Sequence, residues 1–367
     1  MKSYVGLDVH SKSSYFVIQD GRGREVGRGE IPTTLDGLAS LRKRYGLAAG
    51  TKVALETGTV AFYAARRLAE LQLAPVVVDA REVRLKAHRP EQKSDSKDAA
   101  ELCEGVRRGI YRSIIHVPPA SIELLRQTLS RRRHFVRART AEVNAAKRLL
   151  RGAGLSELSR RTLRSTRGWG KLVEALKGQD DLGGFIRIHS AAWESTERQI
   201  SSLEESLRKQ GTVYEADLSR LRTVPGVGEI VGLTAIAVFS DVTRFESAKH
   251  ASSYAGVVPR TWQSGERNQQ GRITKSGSAE LRAMLVEAAH QARRRDNPFS
   301  PYLKSLMVRA GYKKAVIAVA HRLCRILFAI LRDKTVFDPA KLRVEKGSFE
   351  VTTTRVYRLK RAATTSG

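Results

Sequence analysis

The sequence predicts an α/β plus α protein: a mixed sheet flanked by helices over residues 1–117, then long basic helices, then a mostly helical unit over 216–336. Three observations carry this. Short apolar runs alternate with helical spacings up to Val117. From Pro119 to about Leu150 the pattern becomes a single, very basic helix. Beyond it, L-R-T-V-P-G-V-G-E-I-V-G-L-T-A-I-A-V-F reads as two helices around a glycine turn.

Tyr4–Asp8 and Tyr15–Gln19 are apolar runs separated by a polar stretch, and Asp20–Gly23 then makes a turn, so the chain opens as a hairpin. Thr34–Tyr45 places Leu35, Leu38 and Leu41 at helical spacing. Val53–Leu55 reads as a short strand, Val60–Leu71 as a helix and Pro75–Val78 as a strand. Residues 95–108 form a helix and Ile114–Val117 a last strand. Residues 118–215 hold two long helices, the second from about Phe185 to Lys209; their sparse apolar positions suit a coiled coil for dimerisation or a linker packed on its own chain. Gln263–Gly277 is loop-like, and a helix begins near Ser278. The tail, 337–367, is basic and low in order signals.

Charge narrows the partner. The 367 residues include 66 Lys plus Arg against 37 Asp plus Glu, a formal +29, with a sequence pI near 10.6. Such an excess predicts a polyanionic partner, because phosphates release counterions when cations neutralise them. It says nothing about chemistry. Cys103 and Cys324 lie far apart, offering neither a disulfide framework nor a zinc site, and they suit a reducing bacterial cytoplasm. The start M-K-S-Y-V-G-L-D-V-H lacks a signal-peptide core. The apolar stretch Ala315–Leu331 is broken by His321, Arg322 and Arg325, so it reads as a packed helix and no membrane is expected.

Four acids stand out by position. Asp8 ends the first strand, Glu56 lies just past a strand core, and Asp95 and Asp98 sit three apart at a helix start, on one face. Singly, each has a commoner structural role as a helix cap or turn former. Carboxylates beside apolar strands are costly unless compensated, and divalent metal (Mg²⁺ or Mn²⁺) supplies that compensation. A first-strand Asp, a later-strand Glu and a helical D-x-x-D resemble the order of ribonuclease-H-like nucleases of the RuvC type. G-L-D-V also suggests an actin-like sugar kinase, but that fold needs glycine-rich phosphate loops, and V-P-G-V-G lies among helices.

Farther on, Gly226 and Gly228 in P-G-V-G resemble a helix-hairpin-helix turn whose N–H groups approach phosphate, though a plain tight turn serves equally well. Ser264, in Q-S-G, lies among Arg267, Arg272 and Lys275, whose charge would stabilise an attacked phosphate. Chemistry alone leaves a merely phosphate- or backbone-binding serine open, and no His–Asp companion stands at triad spacing.

Together these segments resemble the DEDD transposases of insertion-sequence family one hundred and ten, relatives of Piv-type DNA invertases. The matching pieces are G-L-D-V-H at 6–10, L-E-T-G at 55–58, K-S-D-S-K-D-A at 93–99, and V-P-G-V-G at 224–228. They continue with F-E-S-A-K-H-A-S-S-Y-A-G-V-V-P at 245–259, Q-S-G at 263–265, G-R-I-T-K-S-G at 271–277 and L-R-A-M-L-V-E-A-A at 281–289. The resemblance implies a RuvC-like domain with metal ligands Asp8, Glu56, Asp95 and Asp98, and a helical transposase domain with Ser264 as nucleophile. Ser253 lies in a matched segment too and is the alternative. The stretch from Asp98 to Ser264 is long, which suggests an inserted connector.

The resemblance further implies a nucleoid-associated recombinase that cuts and rejoins donor and target DNA through a serine–DNA bond. A structured guide RNA would pair with both DNAs, and several protomers, a dimer or tetramer, would assemble on it. Arg126, Arg131, Arg132, Arg133, Gly226, Gly228, Arg267, Arg272, Lys275 and Arg282 are the expected nucleic-acid contacts. Two other readings stand beside this one: a hydrolytic RuvC-like junction-resolving nuclease, and a non-catalytic nucleic-acid-binding scaffold.

Overall fold

The computed structural model describes residues 2–86, 94–159, 163–264 and 267–342. They fall into two units, Met1–Pro119 and Ala120–Gly367.

The first unit opens with β1 (Ser3–Val9) and β2 (Ser13–Asp20), an antiparallel hairpin, and β3 (Glu25–Pro32) pairs antiparallel to β2. Next comes α1 (Leu35–Arg44), started by the Thr34 hydroxyl, which accepts from the Gly37 amide. Then β4 (Lys52–Glu56) lies parallel to β1, α2 (Ala61–Glu70) crosses over, and β5 (Ala74–Val78) lies parallel to β4. The short α3 (Ala80–Lys86) and the longer α4 (Asp95–Arg108) complete the unit. The sheet order is β3-β2-β1-β4-β5.

Strand alternation sorts the two faces. Val5, Leu7, Phe16, Ile18, Val53 and Leu55 share one core with Leu38 and Leu41 of α1 and Leu68 of α2. Ala54 and Val78 pack with Leu102 and Val106 of α4, and Val17 with Ala99 and Cys103, on the other face. Each such leucine removed from water contributes about 1.5–3 kcal/mol. The helix α4 starts on Ser94, whose hydroxyl accepts from Lys97 N, and stops at Gly109, φ +64°.

The expected strand at Ile114–Val117 reduces to one antiparallel bridge, Val78 to Ile114. Ile114 is 59% exposed, so this edge segment has no second apolar face to bury.

The second unit begins with α5 (Ala120–Gly152). After α6 (Thr166–Ala175), α7 (Asp180–Gly211) returns along α5, and the two are tied by Arg132–Glu204 (2.6 Å), Arg139–Glu197 (2.7 Å) and His189–Glu142 (2.7 Å). Between them Ala146, Leu150, Leu163, Trp169, Leu172, Ile186 and Trp193 form a separate small core. The sequence predicts two long helices over 118–215; Trp169 and Trp193 add a helical head to them.

Then follow α8 (Glu215–Arg222), α9 (Glu229–Phe239), α10 (Ala248–Ala255), the hairpin β6 (Pro259–Ser264) and β7 (Arg267–Ile273), α11 (Ala279–His290), α12 (Ser300–Ala310) and α13 (Tyr312–Asp333). The apolar α9 is buried along its length, packed against α8, α11 and α13, and Ile122, Leu125, Leu129 and Leu207 join the same core. The long helices are therefore rooted in the C-terminal core. The polar segment expected as a loop at Gln263–Gly277 contains β7, paired Ser264 to Arg267 through Pro259 to Ile273; its Gln, Asn and Arg conceal the strand because backbone pairing needs no apolar alternation. Among the described residues, no helix is long and apolar enough to cross a membrane.

Candidate active site

The register of the first sheet builds the acidic site. Leu7 pairs with Leu55 on the parallel strands β1 and β4. Asp8 and Glu56 each follow by one residue, so they stand level at the C-terminal ends of neighbouring strands, on the face opposite those leucines. That face carries α4.

How α4 reaches this position depends on Gly6. A Cβ on Gly6 would overlap the carbonyl oxygen of Ala99 and the amide nitrogen of Cys103. With hydrogen there, the helix backbone lies directly on β1, and the Cys103 thiol donates to the Tyr4 carbonyl at 3.2 Å. Since Cys103 meets Tyr4 and Ala99 meets Gly6, α4 runs against β1 and its first turn lies beside Asp8.

There His10 Nε2 stands 3.3 Å from Asp8 Oδ2 and 3.5 Å from Asp95 Oδ1. One potential ligand atom from each of Asp8, His10 and Asp95 lies within 4.8 Å of the others. Oxygens bound across one Mg²⁺ at about 2.1 Å are ~4.2 Å apart, so this spacing suits a divalent ion. Asp8 is 17% exposed. Burial pushes its carboxyl above the usual carboxylate range, Asp95 and Asp98 add to the rise, and His10 opposes it. Mutual repulsion of this kind is what a bound cation would relieve, and the donor set fits one. Glu56 is half-buried, and its charge is felt by Tyr111, whose hydroxyl burial chiefly drives up to about 12.

Of the expected ligands, Asp8 and Asp95 converge directly, Asp98 acts on Asp8 electrostatically, and Glu56 is placed by register. His10 was missed as a site residue, although its signal lay in G-L-D-V-H: two residues beyond Asp8, it follows the same strand face.

The other expected residues belong to the second unit. Ser264 ends β6 and pairs with Arg267 of β7; the side chains of both lie outside the described residues. Ser253 is exposed on α10 and lines a pocket of about 320 Å³ with His250, Ser276 and Gly277. Arg272 and Lys275 are exposed. Arg282 donates to the Ala255 carbonyl at 3.3 Å, and Gly226 and Gly228 are exposed in the turn between α8 and α9.

On α5 the arginines divide. Arg131 is exposed, Arg132 pairs with Glu204, and Arg133 stands 3.9 Å from Glu280. Arg126 is engaged elsewhere, donating to the carbonyls of Ala237 at 2.8 Å and Val238 at 3.3 Å.

A strand-end carboxylate, Asp8, and a helix-start carboxylate, Asp95, meet with His10 at cation spacing in a strongly basic chain, an arrangement suited to metal-dependent phosphoryl transfer on nucleic acid. Residues 5–154 match the family model of DEDD transposases of the IS110 type, and residues 218–304 match that described as transposase of the IS116/IS110/IS902 family. The chain belongs to this family of insertion-sequence transposases and is a DNA-acting enzyme.

It is 29% identical over 304 residues to a probable family 20 transposase of Pseudomonas aeruginosa, covering 78% of this chain and 86% of that one. It is 24% identical over 257 residues to the transposase for insertion sequence element IS1111A of Coxiella burnetii, covering 67% and 69%. With the pilin gene-inverting protein of Moraxella lacunata it shares 36% over 128 residues, 34% of this chain and 39% of the relative.

Proposed function

We propose that this transposase cuts and rejoins DNA by transesterification, dividing the chemistry between a RuvC-like acidic site and Ser264. The convergence of Asp8, His10 and Asp95 carries the first half. The antiparallel β1–β2–β3 meander, with β4 and β5 added parallel beside β1, supports the ribonuclease-H-like reading. Asp8, Glu56, Asp95 and Asp98 would hold Mg²⁺ or Mn²⁺, with His10 beside them. When bound, the ion would supply Lewis-acid polarisation of a phosphoryl oxygen and neutralise developing charge.

The chain's own residues supply the rest. Oγ of Ser264 bonds to phosphorus as the P–O bond to the departing deoxyribose breaks; the serine proton leaves, and one proton reaches the departing hydroxyl. Rejoining reverses these steps, so the ester stores the bond energy that hydrolysis would lose. Arg267, Arg272, Lys275 and Arg282 offset phosphate charge, and Arg131, Arg132, Arg133 and the Gly226–Gly228 turn hold backbone phosphates. Residues 118–215 act as a coiled-coil connector between protomers of a dimer or tetramer. A structured guide RNA supplies sequence choice, leaving the protein to read backbone and shape.

The test is strand cleavage of end-labelled DNA with Mg²⁺ and RNA from the flanking non-coding region, scored for protease-sensitive protein–DNA adducts. Wild type and Ser253→Ala are expected to form the adduct, and Ser264→Ala and Asp8→Asn to lose it. Cleavage with no adduct, persisting in Ser264→Ala, would establish the hydrolytic nuclease instead.

A further inference from the structure

We infer that the pocket between α5, α7 and the segment leading into α6 takes a single unpaired nucleotide, base inward and phosphate at the rim. This rests on the reading that the chain works on nucleic acid and adds a subsite to it. The pocket measures about 390 Å³, within the roughly 300–1,000 Å³ of small-ligand sites and far larger than a bare phosphate needs.

Its lining is graded in polarity. The floor is apolar: Leu163 is 2% and Trp193 4% exposed, with half-buried Val143 beside them. Trp169 backs Trp193, ring centroids 6.0 Å apart, so the floor belongs to the core of the helical head. The rim carries three cations, Arg139, Lys147 and Arg164, against one carboxylate, Glu197. Arg139 is paired with Glu197 at 2.7 Å, whereas no ion pair joins Lys147 or Arg164 to a carboxylate among the described residues. Two cations without a carboxylate partner among the described residues, over an apolar floor, match a phosphate attached to a flat ring. Exposed Asn144 at the mouth offers an amide donor and acceptor to a base edge.

A base inside a duplex cannot reach such a floor. An unstacked one can, and bases splayed from single strands are commonly buried against aromatic and apolar side chains. Ribo- and deoxyribonucleotides share this chemistry.

The experiment titrates full-length protein into fluorescein-labelled oligonucleotides of one sequence: single-stranded DNA, single-stranded RNA and duplex DNA, followed by anisotropy at several salt concentrations. Circular dichroism and thermal unfolding confirm that each variant is folded. Lys147→Ala/Arg164→Ala is expected to weaken single-strand binding about tenfold, and to flatten its salt slope by about 0.7, the share of one phosphate. Duplex binding should stay within about twofold. Asn144→Phe, which fills the mouth and keeps the charge, should weaken single strands and spare duplex.

A larger loss on RNA assigns the nucleotide to RNA, and a larger loss on DNA assigns it to a DNA strand. Unchanged single-strand affinity overturns the inference, as does equal weakening of single strand and duplex, which would make the cations a general basic surface. Mg²⁺-dependent cleavage is measured alongside. Cleavage retained with single-strand binding unmoved leaves the transposase reading standing without this subsite; a wild type that binds no nucleic acid overturns both.

Discussion

At the end of β1, Asp8 holds a carboxyl that the fold would rather keep neutral. Its folded value stands above its ordinary 3.8, through burial first and the charges of Asp95 and Asp98 second. A raised value contributes stability that is complete below the unfolded value and is lost as pH rises through the folded one. At pH 7 the metal-free protein therefore bears the whole penalty. Asp8→Asn should raise the melting temperature in chelator at pH 7, with the advantage shrinking as pH falls below the raised folded value. Excess Mg²⁺ should reverse the order, since a ligand at 100 times its Kd adds about 2.7 kcal/mol to wild type alone. A variant less stable than wild type in chelator would show that Asp8 is structural. Arg126 poses the converse case, a cation expected on phosphate whose guanidinium meets the last carbonyls of α9. Arg126→Ala should cost about 1–3 kcal/mol, because the Ala237 carbonyl loses its charged donor while Val238 keeps Arg244, and its duplex salt slope should barely move. Exposed Arg131→Ala should change stability by under ~0.5 kcal/mol and flatten that slope by about 0.9. Denaturant unfolding and anisotropy separate the two, and equal salt slopes would refute the division.

At the scale of elements, the acidic site exists because α4 lies flush on β1. Gly6→Ala should lift the helix from the strand, at a cost of about 1–3 kcal/mol for overpacking. A shift of ~1 Å in the first turn should lower Mg²⁺-dependent cleavage on the order of 10²-fold. Unfolding midpoints and cleavage rates check this; a variant that keeps both would mean that α4 does not position the acids. This dependence also explains what could be read from sequence. The bounds of α4 were legible because Ser94, the D-x-x-D turn and the glycine after Arg108 are local signals. Asp8 and Asp95, two of the four acids expected, were legible as candidates by their order along the chain. The pairing of Asp95 with Asp8 through His10 was not, since it depends on a backbone approach between residues nearly ninety positions apart. The strand β3, Glu25–Pro32, went unseen because it is mostly exposed and carries two glycines, which removes the apolar alternation that marks a strand. The helical head escaped for a related reason: its core is assembled from Leu163, Trp169 and Trp193, which no local period links.

For the whole molecule, the formal charge of +29 acts in two opposed ways. Many of the ion pairs that consume cations are local, at i,i+3 or i,i+4 spacing, and leave the large surplus unbalanced. That surplus repels itself in the folded chain, and salt screens the repulsion over a Debye length of about 10 Å at 0.1 M. The free protein should therefore melt at a higher temperature as salt rises. The same cations hold nucleic acid by displacing counterions, and salt opposes that directly. With 6–10 phosphates engaged, as a guide, DNA affinity should fall about 10³- to 10⁵-fold between 50 and 200 mM salt. Melting curves and anisotropy over one salt series measure both effects, and opposite signs are expected from a single charge distribution. Melting that ignores salt while affinity falls steeply would place the surplus in segments that do not touch the folded core. A shallow affinity slope, equivalent to one or two phosphates, would mean that the excess serves some other polyanion than the DNA on which this family acts.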